Sequence, residues 1–349
     1  MKPRDSLGLR EGYHSPQLDV EVRLNTNESP FPPPREFTSA FESYLRKLTL
    51  NRYPDRSYKE VRAAIAEAYD TEPERVFCGN GSNEVLLNIA LAYGGPNRRA
   101  VVFEPTYSLH SHIASTVGTE VVTLGRDSSF QINDALVQQA EDISPEMVYL
   151  CSPNNPTGAL EDADIVKKIF ALSSDPLVML DEAYADFLGQ KTNLGSEPET
   201  LIRLRTFSKW FDLAGLRFGF CIASKEVVSV LDQVVLPYHL DQIKQVAVLA
   251  ALRTRQHFED KANAICKLRD DLYDSLVSLG VRAHPSNANF ILVEFPEKDP
   301  KMIWRQLVER SILVRDTTSW PMLPPSLRIT VGTALENERL LVALQEILR

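Results

Sequence analysis

The stretch Thr206-Phe207-Ser208-Lys209 sets a lysine just after two hydroxyl residues and just before two aromatics, Trp210 and Phe211. Arg217 follows, after a glycine at position 215. Upstream, Leu201-Ile202-Arg203-Leu204 alternates apolar and basic residues, which is a strand signal. Lys209 therefore stands just beyond a strand. Apolar rings beside a lysine strip it of water and lower its pKa toward the neutral, nucleophilic amine. Thr206, Ser208 and Arg217 together could grip a phosphate. A reactive lysine beside a phosphate grip suggests pyridoxal phosphate held as a Schiff base. By itself a Ser-Lys pair is ordinary, since most lysines are exposed. The reading gains weight only because other segments supply the remaining parts of such a site.

Asp181 follows four apolar residues, Leu177-Val178-Met179-Leu180. An acid at a buried strand end needs a cationic partner, and a protonated pyridine nitrogen would be one. Glu182, next to it, reads as a solvated loop acid. Tyr184 or Asn155 could donate to a ring oxygen, and Tyr107 could stack on the ring face. Gly79-Asn80-Gly81-Ser82 lies between a short apolar strand, Val76–Cys78, and a helix over Asn83–Tyr93. Ser82 is suited to the N-cap of that helix. A glycine turn entering a helix is an anion site, because free N–H groups and the helix dipole face the ligand. No Gly-Lys-Ser/Thr follows, so it is not a Walker loop, and Glu84 stands where the dinucleotide fingerprint needs its third glycine. Arg328, in a short strand after the proline-rich 321–325 segment, is the first candidate to hold the anionic end of a substrate, and Arg315 the second. Taken singly, these tyrosines and arginines have commoner uses in core packing and surface ion pairs.

The elements that would position these residues alternate along the chain. Strands are expected at Ala100–Phe103, Glu120–Leu124, Met147–Leu150, Leu177–Leu180, Leu201–Leu204 and Phe218–Ala223, and helices at Leu109–Val117 and Asp162–Leu172. Apolar strands separated by helices argue for an α/β fold, with a mostly parallel sheet covered on both faces. In such sheets ligands bind beyond the carboxyl ends of the strands. Most of the candidates above lie at such an end. Before residue 35 the chain reads as an arm, with a short strand at Val20–Leu24 and a proline-rich run from Pro30 to Pro34. Residues 36–240 read as a large domain that includes an amphipathic helix over Tyr58–Tyr69. Residues 241–349 read as a smaller α+β domain, with a long helix over His257–Leu279 and short strands at Ala288–Glu294, Leu313–Arg315 and Leu327–Val331.

A length of 349 residues suits about two domains. The net charge of −9 argues against a general nucleic-acid binder. No apolar run reaches the length of a membrane span, and the first residues have no signal-peptide core. The four cysteines show no Cys-x-x-Cys spacing, so neither a metal site nor a disulfide framework is expected. A reducing, cytoplasmic setting fits.

Three motifs resemble the fold type I pyridoxal-phosphate aminotransferases: Asn-Asn-Pro-Thr-Gly at 154–158, Asp-Glu-Ala-Tyr at 181–184, and Ser-Lys-Trp-Phe-Asp-Leu-Ala-Gly-Leu-Arg at 208–217. Four more are similar to the branch of that family acting on histidinol phosphate: Leu-Asn-Thr-Asn-Glu at 24–28, Asn-Arg-Tyr-Pro at 51–54, Leu-Arg-Ile-Thr-Val-Gly-Thr at 327–333 and Glu-Asn-Glu-Arg at 336–339. The resemblance runs nearly the length of the chain, in order. It implies a mostly parallel seven-stranded sheet and a pyridoxal phosphate carried on Lys209, which also moves the substrate proton. It implies Asp181 on the ring nitrogen, Tyr184 and Asn155 on the ring oxygen, and Tyr107 on the ring face. Ser82, Ser208 and Arg217, with the backbone of Gly81 and Asn83, would take the phosphate. Tyr53 would reach the phosphate held by a second subunit, which implies a homodimer. Arg328 would hold the substrate's anionic end, with Arg315, Asn27 and Tyr13 nearby. The implied reaction is amino transfer from glutamate to imidazole-acetol phosphate, giving histidinol phosphate and 2-oxoglutarate. An aromatic amino acid aminotransferase and a threonine-phosphate decarboxylase are the alternatives. Trp210 and Asp212 depart from the family, which often has small residues there.

Overall fold

Runs of four to six residues with no polar face build the centre of a seven-stranded sheet in the computed structural model, which describes residues 16–189, 194 and 197–349. The strands are β2 (Val76–Gly79), β3 (Arg99–Glu104), β4 (Glu120–Gly125), β5 (Met147–Cys151), β6 (Leu177–Asp181), β7 (Leu201–Thr206) and β8 (Gly219–Ile222). Their order is β2-β8-β7-β6-β5-β3-β4. From β4 to β7 all pairings are parallel, while β8 runs antiparallel to both of its neighbours. Every residue of β5, β6 and β7 is buried, as expected of strands covered on both faces.

Alternation along the strands divides the apolar side chains between two layers. Ala100, Val102, Tyr149 and Met179 face α3 (Ser82–Tyr93), α4 (Leu109–Thr116) and α7 (Lys225–Val234). Val101, Phe103, Val148 and Leu150 face α5 (Asp134–Ile143) and α6 (Ala163–Phe170). The helices α5 and α7 are not among the sequence expectations. In α5 only Leu136 and Ala140 are buried, too thin a stripe to stand out. A side-chain cap from Asn133 to the Leu136 N–H fixes its start.

A second sheet of five strands has the order β1-β11-β12-β10-β9. These are β1 (Val22–Leu24), β9 (Arg282–Ala283), β10 (Phe290–Glu294), β11 (Ile312–Asp316) and β12 (Ser326–Thr330). Val22 and Leu24 point into its core and Arg23 away from it, and this short strand pairs in parallel with β11. The pairing delivers residues 25–27 to the carboxyl ends of β6 and β7. The 24-residue helix α9 (Arg255–Ser278) contributes Phe258 to the core beside the first sheet and Leu272 to that of the second. Among the described residues no helix is long and apolar enough to cross a membrane.

Glu182 is not the solvated acid its loop position suggested. It is 1 % exposed and receives Arg203 Nη1 at 2.5 Å and Arg205 Nη2 at 2.9 Å. Arg205 also donates to Asp186 at 2.9 Å. The basic residues of β7 are thus buried inside an ion network beneath the strand that carries Lys209. Losing one partner of a buried pair costs about 3 kcal/mol, because the other charge is left uncompensated. Glu182→Gln is therefore expected to lower the unfolding free energy by about that much in urea titrations. A midpoint within error of wild type would mean that water, rather than Glu182, answers these arginines.

Candidate active site

A cavity of about 150 Å³ opens at the carboxyl ends of β6 and β7. It is lined by Asn27, Ser82, Asn83, Tyr107, Asn155, Asp181, Tyr184, Ser208, Lys209, Arg217 and Arg328. Gly81 lies at its edge, under the Arg217 guanidinium. Tyr13 falls outside the described residues. Tyr53 is 79 % exposed, away from this cavity, with its ring stacked on Tyr238 at 4.5 Å. Arg315 is buried on β11, directly opposite Arg328 on β12.

At one end the backbone forms a cradle. Gly81 has φ +84°, open to glycine at no steric cost, and a Cβ there would meet Arg217 Nη2 at 2.6 Å. A Cβ on Gly219 would lie 2.2 Å from the Ser82 nitrogen, so β8 runs flush beneath the turn. Gly81 itself holds the cap position of α3, which corrects the expectation for Ser82. The left-handed glycine brings the chain into the helix one residue early, and Ser82 becomes the first helical residue, facing the cavity. The N–H groups of Ser82 and Asn83 belong to the first turn, where no carbonyl lies one turn back to receive them. Arg217 Nη1 donates to Ser208 Oγ at 3.1 Å, and the Ser208 N–H donates to Thr206 Oγ1 at 3.1 Å. These groups make an anion site of the size and polarity of a phosphate.

Lys209 Nζ donates to the Thr26 carbonyl at 2.9 Å. Burial, with the positive charges of Arg328 and Arg217, lowers its pKa to about 7 against the weaker pull of Glu28. A lysine in this state is substantially a free amine at neutral pH. Behind it Trp210 is buried edge-on to Phe211 at 4.7 Å. Asp212 takes φ +51°, and burial raises its carboxyl to about 7, opposed by Ser29 and Lys261.

Asp181 accepts the Ala183 N–H on one oxygen at 3.0 Å and meets His110 Nε2 with the other at 3.0 Å. Both side chains are buried. Nothing in the sequence reading pointed to His110. The signal was its place three residues after Tyr107, which sets the two rings edge to face at 5.4 Å. The two asparagines of Asn-Asn-Pro-Thr-Gly divide their work. Asn154 is wholly buried and braces the loop, donating to the Pro105 carbonyl at 3.0 Å and accepting from Thr106 at 2.8 Å. Asn155 faces the cavity and accepts from Arg328 Nη1 at 2.5 Å.

Arg328 also donates to the Asn25 carbonyl at 2.9 Å and lies over the Phe290 ring at 5.3 Å. Asn27 donates to the Tyr184 hydroxyl at 2.8 Å, and its own N–H goes to Thr330 at 3.0 Å. Burial pushes the Tyr184 phenol well above its usual range, which keeps it a donor. The carbonyls of Asn25 and Thr26 carry no side-chain signal, so only the β1–β11 pairing reveals their part. The site as a whole offers an amine, a buried acid, a phosphate-sized cradle and a second, separate cationic end. Among the described residues no cluster of His, Cys, Asp or Glu could hold a metal ion, and all four cysteines are free.

The sequence profile described as aminotransferase class I and II matches residues 20–347. The histidinol-phosphate aminotransferase of Corynebacterium diphtheriae is 36% identical over 99% of this chain and 96% of its own. That of Paenarthrobacter aurescens is 37% identical over 96% and 92%. The crystal structure of histidinol-phosphate aminotransferase from Sinorhizobium meliloti, in complex with pyridoxal-5'-phosphate, shares the fold at a TM-score of 0.85. It is 23% identical, over 95% of this chain and 91% of that one.

Gly219→Ala forces a methyl against the Ser82 backbone. The expected result is a displaced first turn of α3 and affinity for pyridoxal phosphate reduced by about tenfold or more, read by spectral titration of the cofactor-free protein. Wild-type affinity together with a wild-type melting temperature would show that the cradle does not depend on this close approach.

Proposed function

The chain belongs to the class I and II aminotransferase family, and from that premise we propose that it exchanges an amino group between histidinol phosphate and 2-oxoglutarate, in histidine biosynthesis. In the biosynthetic direction imidazole-acetol phosphate and glutamate are consumed, and histidinol phosphate and 2-oxoglutarate are the products. The observation that carries this reading is the presence of two separate cationic ends in one cavity. Arg217 with Ser208 forms one, Arg328 forms the other, and Lys209 and Asp181 lie between them. The first suits the phosphate of a cofactor and the second the anion of a substrate. The full-length kinship with histidinol-phosphate aminotransferases supports the choice of substrate.

The residues present fit pyridoxal phosphate. The cradle has no room for a side chain at Gly81, and the buried Asp181 carboxylate calls for a positive partner inside the cavity. Ser82, Ser208 and Arg217, with the N–H groups of Ser82 and Asn83, hold the phosphate in this reading, whereas the Gly81 N–H expected to join them is given to the Gly79 carbonyl at 2.9 Å. Asp181 takes the ring nitrogen, Tyr184 and Asn155 the ring oxygen, and Tyr107 the ring face. When bound, the cofactor supplies an electron sink for the carbon that bears the transferred nitrogen. His110 holds Asp181 in place from behind. Lys209 Nζ, as the free amine, would bond the cofactor's carbonyl carbon with loss of water, and once the substrate's own amine displaced it, the released amine would move the proton at the substrate carbon. Arg328 receives the phosphate of one substrate and a carboxylate of the other. A guanidinium fork matches both. Asn27, Arg315 and Tyr13 complete the substrate end.

The active form in this reading is a cytoplasmic homodimer, with Tyr53 reaching the partner's cradle. What supports it is exposure. Tyr53 and Tyr238 stack on the surface, and Leu50, Leu236 and Ile243, close in sequence to that stack, are exposed as well.

Single-turnover absorbance on the pyridoxal-loaded protein tests the reading. Rapid loss of the cofactor's visible band with histidinol phosphate and with glutamate is expected, and slow response to phenylalanine and threonine phosphate. Fast bleaching by phenylalanine alone would make it an aromatic aminotransferase, and release of carbon dioxide from threonine phosphate a decarboxylase. The neutral fraction of Lys209 grows as pH rises, so the rate at which cofactor-free protein captures pyridoxal phosphate is expected to climb through about pH 7 and level off above it. A rise centred near the ordinary lysine value would remove the enclosed-amine argument. Arg328→Ala is expected to lower kcat/KM on the order of 10²-fold with both histidinol phosphate and glutamate. Near-normal turnover of both would take the substrate anion elsewhere.

A further inference from the structure

Arg315 and Arg328 are cross-strand partners on β11 and β12, so their side chains leave the sheet on the same face. Both are buried. Like charges placed directly opposite repel. Their guanidinium carbons converge on a single indole, Trp320, at 5.8 and 5.9 Å from its ring centroid. Both distances fall inside the range over which a ring quadrupole attracts a cation. We propose that Trp320 is a positioning residue for amino transfer, its indole holding Arg315 and Arg328 together as one two-guanidinium receptor for the substrate's anion. This inference rests on the reading above in which Arg328 and Arg315 receive that anion.

The turn that carries the indole is tied down through its backbone. The main-chain N–H of Trp320 donates to the Thr317 carbonyl at 3.0 Å, and Thr317 Oγ1 donates to the Ser326 carbonyl on β12 at 2.8 Å. The ring packs on Phe130, Leu292 and Leu323. Phe130 comes from the loop after β4, in the other sheet. Its carbonyl accepts Arg126 Nη1 at 3.2 Å, and Arg126 is anchored to Glu161 at 2.5 Å in a pair with both side chains 2 % exposed. Trp320 thus packs on a loop residue, Phe130, that a buried ion pair beside the large sheet braces, while its own ring faces two cations of the small sheet. Without the indole both cations remain, but an incoming anion must gather them against their mutual repulsion. The loss then falls on anion affinity and spares the chemical step.

The test compares wild type, Trp320→Leu and Trp320→Phe as loaded enzymes, using histidinol phosphate, phosphate-free histidinol, 2-oxoglutarate and inorganic phosphate. Trp320→Leu is expected to raise KM for histidinol phosphate and 2-oxoglutarate, and the inhibition constant of inorganic phosphate, by about tenfold. Little change in kcat is expected, and none in turnover of histidinol, which carries no anion. Trp320→Phe keeps a π face and should recover most of the loss. Equal losses on histidinol phosphate and histidinol, or a fall in kcat at unchanged phosphate affinity, would reduce Trp320 to a packing residue and overturn the proposal. If wild type fails to use histidinol phosphate, the functional reading fails by itself, and the inorganic phosphate and 2-oxoglutarate constants still decide the role of Trp320. Should Trp320→Leu not fold, phosphate titration of tryptophan emission decides: a response in wild type that Trp320→Phe lacks supports the receptor, and identical responses refute it.

Discussion

An amine enclosed beside two guanidiniums gives up its proton near neutrality, and most of what surrounds Lys209 serves to keep that enclosure shut. Arg217 approaches from one side and Arg328 from the other, and both disfavour the ammonium form. The Thr26 carbonyl above accepts one N–H of the amine. No single element supplies these walls. Arg217 returns on the loop that Lys209 begins, Arg328 rides on the five-stranded sheet, and Thr26 arrives through the parallel pairing of a three-residue strand. The chemistry at one nitrogen therefore depends on two sheets staying in register.

Beneath this, β7 sits on a buried network that would be an extravagance in a purely structural strand. Arg203 and Arg205 are answered by Glu182, Glu197 and Asp186 rather than by solvent. Such pairs add little net stability compared with apolar packing, but they tolerate few alternative geometries. A strand that must present Ser208 and Lys209 at a defined height gains more from that intolerance than from added stability.

Much of this was legible in the chain itself, for a physical reason. Side chains at the ends of parallel strands are contiguous with the apolar runs that form those strands, so Asp181, Lys209 and the Gly81 turn announce their location by what precedes them. The glycine cradle was legible too, although its cap was assigned one residue late, since a left-handed glycine and a capping serine leave similar marks. What stayed hidden is what arrives from far away in sequence or acts through its backbone. His110 lies on a helix whose partner is 71 residues distant. The carbonyls of Asn25 and Thr26 have no side-chain signature, and Glu182 looked solvated because its two arginines sit on the next strand. Trp320 is one of three tryptophans, and only the β11–β12 register shows that two cations share its ring.

The paths between these partners along the chain also set an order of assembly. Ser208 and Arg217 meet across nine residues, Lys209 and Thr26 across 183, and Arg328 and Asn25 across 303. The entropy lost in closing a loop grows with its length, and contacts distant in sequence are reached late. The Ser208–Arg217 half of the anion grip can close on its own hairpin before the arm is docked. The ceiling over the amine closes only once the first and last parts of the chain have met. A folding chain thus holds a partial phosphate grip before it possesses the enclosure that makes its lysine reactive, and reactivity becomes a property of the finished molecule alone.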